Sequence, residues 1–288
     1  MKLGLGLYKH MLNEEHFCFA KQIGCTHIVA HLVDYYKEDE IVKATDKDSN
    51  YGVAIANDPA WEYENLLKLK NEIESHGLVF EAIENFSPAD WYDVLLGGSK
   101  RDEQIENIKK IIENVGKVGI KTIGYNFSIT GVWGHSRLKC ARGGAVSACL
   151  REENAYSTVP LKKGEIWNMK YEDHNEILPF ISKEEQWERL EYFLQRVLPV
   201  AEKYNVNLAL HPDDPPMEVL RGQARLINQP KYYEKAFGIV ESPRNTSEFC
   251  MGSIQVMTEG NIYDAIEIHC KNNKIAYVHF MNVKGIVP

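Results

Sequence analysis

Residues 206–216 read V-N-L-A-L-H-P-D-D-P-P, an apolar run that ends in a histidine, two aspartates and three prolines. Because side chains alternate along a strand, Asn207, Ala209 and His211 would share one face, and bulky aliphatic side chains would occupy the other. Pro212 disfavours the helical region for His211, so the histidine is expected in an extended conformation. The stretch therefore predicts a strand that presents an imidazole at its carboxyl end.

Outside this stretch the chain alternates strand and helix without an internal boundary, which is typical of parallel βαβ units. Predicted strands lie at 3–8, 25–32, 78–85, 120–127, 206–211, 245–253 and 274–282, and helical segments at 14–23, 59–77, 101–118, 183–203, 217–240 and 259–270. The strands lack a clean alternation of polar and apolar residues, as expected of a sheet covered on both faces.

Two architectures fit this order, an open doubly wound sheet and a (β/α)8 barrel. No G-x-G-x-x-G follows the first strand, so dinucleotide binding is unsupported. Thr122 and Gly124 place small residues on one face of the fourth strand, which suits a barrel interior. We predict an α/β fold, a TIM (β/α)8-type barrel with only seven readable strands. Residues 1–288 are expected to form one domain, with a long insertion after the fourth strand at residues 128–180.

Composition excludes several classes of partner. The net charge of −8 argues against nucleic acid and anionic membrane surfaces, and no apolar run approaches the ~20 residues of a membrane helix. The six cysteines form no C-x-x-C motif, which favours free thiols or one metal-binding or catalytic cysteine in a cytoplasmic protein over a disulfide framework. The strand edges of an incomplete barrel favour association into a homo-oligomer.

Three candidate metal ligands end consecutive strands, at the rim where βα barrels place their active sites. They are His211, Cys250 and His279, and two imidazoles with a thiolate suit Mn, Fe, Co or Zn. Taken singly, His279 could be a core histidine, and Cys250 a small apolar side chain or a nucleophile. Their coincidence at neighbouring strand ends favours a metal site.

Other polar groups are candidates for contact with a substrate. Asn85 and Asn126 end the third and fourth strands, and Arg142 precedes two glycines, where a guanidinium and bare amides could bind a carboxylate. We predict that these three side chains bind substrate. Asp213 and Asp214 are either solvated or include a catalytic proton carrier.

Several stretches resemble the mannonate dehydratases, in the xylose-isomerase-like group of TIM barrels. They are L-H-P-D-D-P-P at 210–216, F-C-M-G-S at 249–253 and Y-V-H-F-M-N-V-K-G at 277–285. Two weaker matches are G-Y-N-F at 124–127 and R-G-G-A at 142–145. The resemblance implies a cytoplasmic lyase of hexuronate degradation. Such an enzyme dehydrates the sugar acid D-mannonate to 2-keto-3-deoxy-D-gluconate with a divalent metal, most often Mn²⁺, with Fe²⁺ or Co²⁺ as alternatives.

The resemblance also assigns roles to residues. It implies His211, Cys250 and His279 as the metal ligands, and Lys284 belongs to a matching motif and joins the predicted substrate-binding residues. The family pattern continues into an eighth strand with an aspartate ligand, which is expected to lie outside these 288 residues. Two other functions remain open: a sugar isomerase or epimerase of the same superfamily, and an inactive relative that binds a sugar acid.

Overall fold

The computed structural model describes residues 2–35, 54–151, 159–172 and 174–287. Its strands are β1 (Gly4–Leu7), β2 (His27–Ala30), β3 (Val79–Glu84), β4 (Thr122–Tyr125), β5 (His135–Lys139), β6 (Val146–Leu150), β7 (Glu165–Ile166), β8 (Met169–Lys170), β9 (Asn207–Leu210), β10 (Val219–Leu220), β11 (Gln223–Ala224), β12 (Asn245–Cys250) and β13 (Ile275–His279). Its α-helices are α1 (Glu14–Gln22), α2 (Tyr63–Ser75), α3 (Tyr92–Leu96), α4 (Arg101–Val118), α5 (Lys183–Tyr204), α6 (Tyr232–Ile239), α7 (Met251–Gln255) and α8 (Ile262–Lys271).

Seven parallel strands form one curled sheet in the order β1-β2-β3-β4-β9-β12-β13. Every pairing within it is parallel, so all carboxyl ends lie at one edge. Each strand connects to its sheet neighbour in chain order, as in a TIM barrel, and the seven predicted strands are confirmed. Within the described ranges, β1 and β13 are the two edges of this sheet.

Helices α4 and α5 pack against each other, and α5 also contacts β9. The amino end of α5 is a capping box, in which Ser182 and Glu185 each satisfy the other's backbone N–H. The approach of the two helices depends on Gly116, because a Cβ there would lie 2.6 Å from the Cβ of Tyr204. The apolar faces of these helices therefore cover the outer side of the sheet. None of the helices in the described ranges is long and apolar enough to cross a membrane.

The prediction of a helical connection over 217–240 is wrong in its first half. Strands β10 and β11 form an antiparallel hairpin there, and the helix α6 begins only at Tyr232. The turn residues Arg221 and Gly222 have φ of 51° and 75°, and two consecutive positive φ values are typical of a tight hairpin turn. The guanidinium of Arg221 holds the turn in place by donating to Trp167 O at 2.9 Å.

The insertion after β4 contains two further hairpins, β5–β6 and β7–β8. At the first of them the expectation of free thiols is wrong, because Cys140 and Cys149 form a disulfide across the hairpin. The other cysteines of the described ranges, among them Cys250, are free. The division of the chain into domains stays a prediction.

Asp90, in the turn that precedes α3, makes the free energy of unfolding depend on pH. Its Oδ1 accepts a hydrogen bond from Asn57 N at 2.7 Å, and its buried Oδ2 has no partner in the described part of the chain. Burial raises the pKa of this carboxyl to about 6, although the Asn57 hydrogen bond opposes the rise. Folding therefore favours the protonated acid, and stability falls as the pH rises from the unfolded pKa of ~3.9 to the folded value.

We expect Asp90→Asn to stabilise the fold at pH 8 by up to about 3 kcal/mol, because the variant carries no charge to bury. The gain should shrink at pH 5, where the native carboxyl is already mostly protonated. Urea unfolding followed by tryptophan fluorescence at the two pH values measures the difference. The exposed Glu103→Gln on α4 is the control, and an Asp90→Asn gain that is equal at both pH values would contradict the prediction.

Candidate active site

Three donor side chains meet at the carboxyl edge of the sheet. His211 directly follows β9, Cys250 ends β12 and His279 ends β13, three strands that are neighbours in the sheet. Cys250 and His279 are paired in register, and the imidazole centroids of His211 and His279 are 5.4 Å apart. One ligand atom from each of the three side chains lies within 4.8 Å of the others. The structure therefore brings together the three residues predicted as metal ligands.

The imidazole of His211 is held in one tautomer. Its Nδ1 lies 2.6 Å from Pro212 O, and a carbonyl only accepts, so Nδ1 carries the proton and donates it. Asn126 Nδ2 donates to the same carbonyl at 3.2 Å, and His211 N donates to Tyr125 O at 2.8 Å. With Nδ1 engaged in this way, Nε2 is the nitrogen of His211 that would bind a cation after losing any proton of its own, as in metal sites whose histidines donate their other nitrogen to a carbonyl.

Cys250 lies in surroundings that favour the thiolate. Burial raises the pKa of the thiol, but contacts with the imidazoles of His211 and His279 lower it to about 6. Ser253 Oγ also donates to Cys250 Sγ at 3.2 Å. Since the thiolate is the form that binds metals, Cys250 is prepared for ligation near neutral pH.

The two histidines are correspondingly biased toward the imidazolium. Burial lowers the pKa of His211, but the charge of Glu248 and the contact with Cys250 raise it to about 9. Burial also lowers the pKa of His279, and its contacts with Cys250, Glu248 and Glu84 more than reverse this. The anionic groups of the cluster thus favour positive charge on the buried imidazoles, and a metal ion that binds there would take the place of their protons.

Two glutamates that the sequence pattern does not mark as site residues, the half-buried Glu84 and the buried Glu248, lie next to His279. Glu84 Oε2 is 3.2 Å from His279 Nε2 and 3.4 Å from His31 Nε2. Burial raises the pKa of Glu84, but the charges of His31 and His279 lower it to about 2. Glu248 Oε1 lies 3.0 Å from the same His279 nitrogen. A carboxylate inside a buried strand, two residues before a candidate ligand, was the available signal for Glu248.

The two aspartates that follow His211 have different surroundings. Asp213 Oδ1 accepts from Arg225 Nε and Oδ2 from Ile227 N, both at 2.7 Å, and the residue is buried. With both oxygens engaged, Asp213 has no oxygen directed at a substrate. Asp214 is half-buried, and its Oδ1 lies 3.5 Å from His135 Nε2. Of the two predicted proton carriers, Asp214 alone has surroundings that fit the role, which stays a prediction.

The four predicted substrate-binding residues lie in two places. Asn85 and Asn126 follow β3 and β4 at the carboxyl edge of the sheet, and the buried Oδ1 of Asn126 has no partner among the described residues. Arg142 is exposed in the turn between β5 and β6, and Lys284 is exposed beyond β13. No described hydrogen bond or ion pair joins Arg142 or Lys284 to the His211 cluster. All four roles stay predictions.

A group of aromatic rings lies near the carboxylate of Glu84, next to the cluster of His211, Cys250 and His279. The ring of His31 has its centroid 4.8 Å from that of Tyr8 and 5.6 Å from that of Tyr35, and Tyr35 stacks on Trp167 at 6.2 Å. Asn85 Nδ2 donates to the hydroxyl of Tyr35 at 2.9 Å. The candidate site therefore has charged donors on one side and aromatic faces, which suit the C–H groups of a sugar chain, on the other.

A family model described as D-mannonate dehydratase (UxuA) matches residues 31–286. The chain belongs to this family. It is 30% identical to mannonate dehydratase 2 of Halalkalibacterium halodurans over 247 residues, which cover 83% of this chain and 70% of the relative. It is 33% identical to the mannonate dehydratase of Thermotoga maritima over 241 residues, with 78% of this chain and 66% of the relative covered. The family resemblance of the sequence and the assignment to a family of hydro-lyases are confirmed.

Comparison of this chain with solved structures supports the same family and fold. The crystal structure of a mannonate dehydratase from Streptococcus suis serotype 2 superposes with a TM-score of 0.76 at 27% identity, covering 99% of this chain and 74% of that one. A D-psicose 3-epimerase from Clostridium cellulolyticum H10 superposes with a TM-score of 0.55 at 12% identity, covering 100% of this chain and 78% of that one. The second likeness shows the fold alone, that of the xylose-isomerase-like TIM barrels.

Proposed function

We propose that the protein dehydrates the sugar acid D-mannonate to 2-keto-3-deoxy-D-gluconate and water. The observation that carries the proposal is the cluster of His211, Cys250 and His279, whose donor atoms meet at the carboxyl edge of the sheet. The cluster occurs in a member of the D-mannonate dehydratase family, whose named relatives act on mannonate. The alternative of an inactive sugar-acid binder is less favoured by this constellation, because it combines a thiolate with free imidazole nitrogen.

The residues present fit a divalent metal. The fixed tautomer of His211 leaves Nε2 available, Cys250 is poised as a thiolate, and the buried carboxylate of Glu248 lies beside His279. Mixed nitrogen, sulfur and oxygen donors suit a borderline transition metal, so we propose Mn²⁺, with Fe²⁺ or Co²⁺ as alternatives. When bound, the metal would supply a Lewis acid for the substrate oxygens and so favour loss of the proton next to the carboxylate.

The chain's own residues supply binding and proton transfer. The Oδ1 of Asn126, which has no partner in the described part of the chain, would accept a hydrogen bond from a substrate hydroxyl, and Asn85 lies at the neighbouring strand end. We propose Asp214, with His135 beside it, as the group that moves a proton at C2 or at the departing C3 hydroxyl. Arg142 remains the proposed partner of the substrate carboxylate, and Lys284 remains a proposed substrate-binding residue.

The test is an assay of the purified protein with D-mannonate and Mn²⁺, in which the 2-keto-3-deoxy acid is detected colorimetrically and identified by NMR. We expect product with metal, none after EDTA treatment, and recovery when Mn²⁺ is restored. An epimerase would instead exchange the C2 proton with solvent and release no water. Exchange of the C2 proton without formation of the keto acid would therefore favour an isomerase or epimerase. Binding of D-mannonate without either reaction would favour an inactive sugar-acid-binding protein.

A further inference from the structure

Glu248 is a buried carboxylate beneath the three donors. It lies on β12 two residues before Cys250, so both side chains point to the same side of the strand. Its side chain has no exposed surface, and neither carboxylate oxygen accepts a hydrogen bond of normal geometry within the described ranges. A buried carboxylate needs cationic groups or donors around it, and those that approach Glu248 in the described ranges are the imidazoles of His279 and His211 and the hydroxyl of Tyr277, so both oxygens keep lone pairs that a metal ion could use. The position of Glu248 therefore points to a ligand.

The distances from Glu248 fit an ion shared with the two histidines. Its Oε1 lies 3.0 Å from His279 Nε2 and 4.0 Å from His211 Nε2. Nitrogen and carboxylate oxygen bind a first-row divalent metal at about 2.0–2.2 Å, so two ligands of one ion lie at most roughly 4.4 Å apart. Both separations fall within that limit. Glu248 can thus reach an ion held between His211 and His279 without moving the backbone.

We propose that Glu248 is a fourth ligand, among the described residues, of the divalent metal bound by His211, Cys250 and His279. The inference rests on the proposed function, since it concerns the same metal. It supplies a carboxylate from β12, the strand that also carries Cys250, so that one strand provides two ligands from adjacent positions on one face. A second anionic ligand beside the thiolate would offset the full charge of a divalent cation.

Glu84 differs from Glu248 in its contacts and serves as the comparison. It accepts a hydrogen bond from His279 Nε2 and is ion-paired with His31, whereas Glu248 lies near two imidazoles but accepts no hydrogen bond of normal geometry in the described ranges. Because an ion bound at His279 Nε2 would replace the proton that Glu84 accepts there, we expect Glu84 to stay paired with His31 and to act as a positioning residue. The two glutamates are both next to His279, and substitutions of them separate a ligand from a residue that acts through a ligand.

Gly124 on β4 provides the space that Glu248 occupies. A Cβ at this position would lie 2.3 Å from Glu248 Oε2 and 2.2 Å from the hydroxyl of Tyr277, closer than any real contact. Gly124→Ala therefore displaces the carboxylate while leaving its chemistry intact. This variant changes the position of the proposed ligand without changing any ligand residue.

The experiment measures metal binding in the absence of substrate. Metal-free protein is titrated with Co²⁺ against a competing chelator, and the d–d absorption of the bound ion reports its coordination number. We expect Glu248→Gln to weaken Co²⁺ binding by more than about 100-fold, beyond the range usual for an outer-shell residue, and to change the d–d spectrum. Glu84→Gln should weaken binding by about 10–100-fold and leave the spectrum unchanged.

Each outcome decides the assignment of Glu248. An unchanged d–d spectrum in Glu248→Gln overturns it, whatever the loss of affinity, because a coordinating oxygen cannot be lost without a change in the ligand field. If circular dichroism shows that Glu248→Gln does not fold, Gly124→Ala takes its place and must alter the spectrum. Wild-type protein that binds neither Co²⁺ nor Mn²⁺ would refute the proposed metal site itself. If the wild type binds Co²⁺ and Glu248→Gln gives the same d–d spectrum, only the ligand role of Glu248 is refuted.

Discussion

His211→Ala is expected to lower the rate of D-mannonate dehydration by about 1000-fold at saturating Mn²⁺. Metal stabilisation of charge in a transition state supplies several kcal/mol, and about 4 kcal/mol corresponds to this factor. Loss of the imidazole removes one of the proposed ligands and leaves Cys250, His279 and Glu248, so metal content after dialysis should fall as well. Keto-acid formation and elemental analysis of the same preparations measure the two effects.

The control for this variant is His174→Ala, which removes an exposed histidine paired with Glu172. It should leave activity and metal content unchanged. Thermal unfolding of His174→Ala should match that of the wild type, and His211→Ala should lower Tm only modestly, because outside the cluster its side chain makes one hydrogen bond, to Pro212 O. His211→Ala protein with wild-type activity would exclude the metal cluster as the reaction centre.

The residues at the carboxyl ends of the strands could be predicted from the sequence, because the strands are marked by local runs of apolar residues. Apolar runs locate the buried strands, and parallel connectivity places their carboxyl ends together, so His211, Cys250 and His279 were expected to meet before any distance was known. The order of β9, β12 and β13 in the sheet follows from the same rule of consecutive neighbours. Such predictions need no knowledge of side-chain packing.

Other features depend on contacts that sequence spacing does not reveal. Asp213 and Arg225 are separated by the β10–β11 hairpin, and their pairing requires the chain to reverse at Arg221 and Gly222. A positive φ at a non-glycine residue such as Arg221 has only a weak sequence signal. The burial of Glu248 is likewise a property of the whole barrel, since it depends on the space left by Gly124 on another strand.

Asp213→Asn is expected to destabilise the fold by about 3–5 kcal/mol, because it leaves the guanidinium of Arg225 buried without a counter-charge. Arg225 has no exposed side-chain surface, and its pair with Asp213 at 2.7 Å is its only contact with a carboxylate in the described ranges. For a chain of this size the change lowers Tm by roughly 10 °C. Glu267→Gln, which breaks the exposed pair with Lys271, is the control and should change stability by less than about 1 kcal/mol.

A double variant tests the reason for this loss. Asp213→Asn/Arg225→Met removes both partners, so no charge remains buried, and it should be more stable than Asp213→Asn alone. Some loss must remain, since Arg225 Nη1 also donates to Thr130 Oγ1 and Gly131 O at 2.7 and 2.8 Å. If the double variant is less stable than Asp213→Asn, those hydrogen bonds outweigh the unpaired charge, and the electrostatic account of the pair is incorrect.

The Asp213–Arg225 pair also contributes to the position of the proposed metal-binding residue His211. Asp213 is two residues from His211, and Arg225 links it to the segment that follows β4, where Thr130 and Gly131 lie. Loosening this link should let His211 move, so we expect Asp213→Asn to weaken metal binding as well as lower Tm. His211→Ala should weaken metal binding with a smaller fall in Tm than Asp213→Asn. Chelator competition and thermal unfolding on both variants separate a residue that binds the ion from one that holds the binding residue in place. Asp213→Asn protein that melts early yet binds metal with wild-type affinity would show that the pair supports the fold alone.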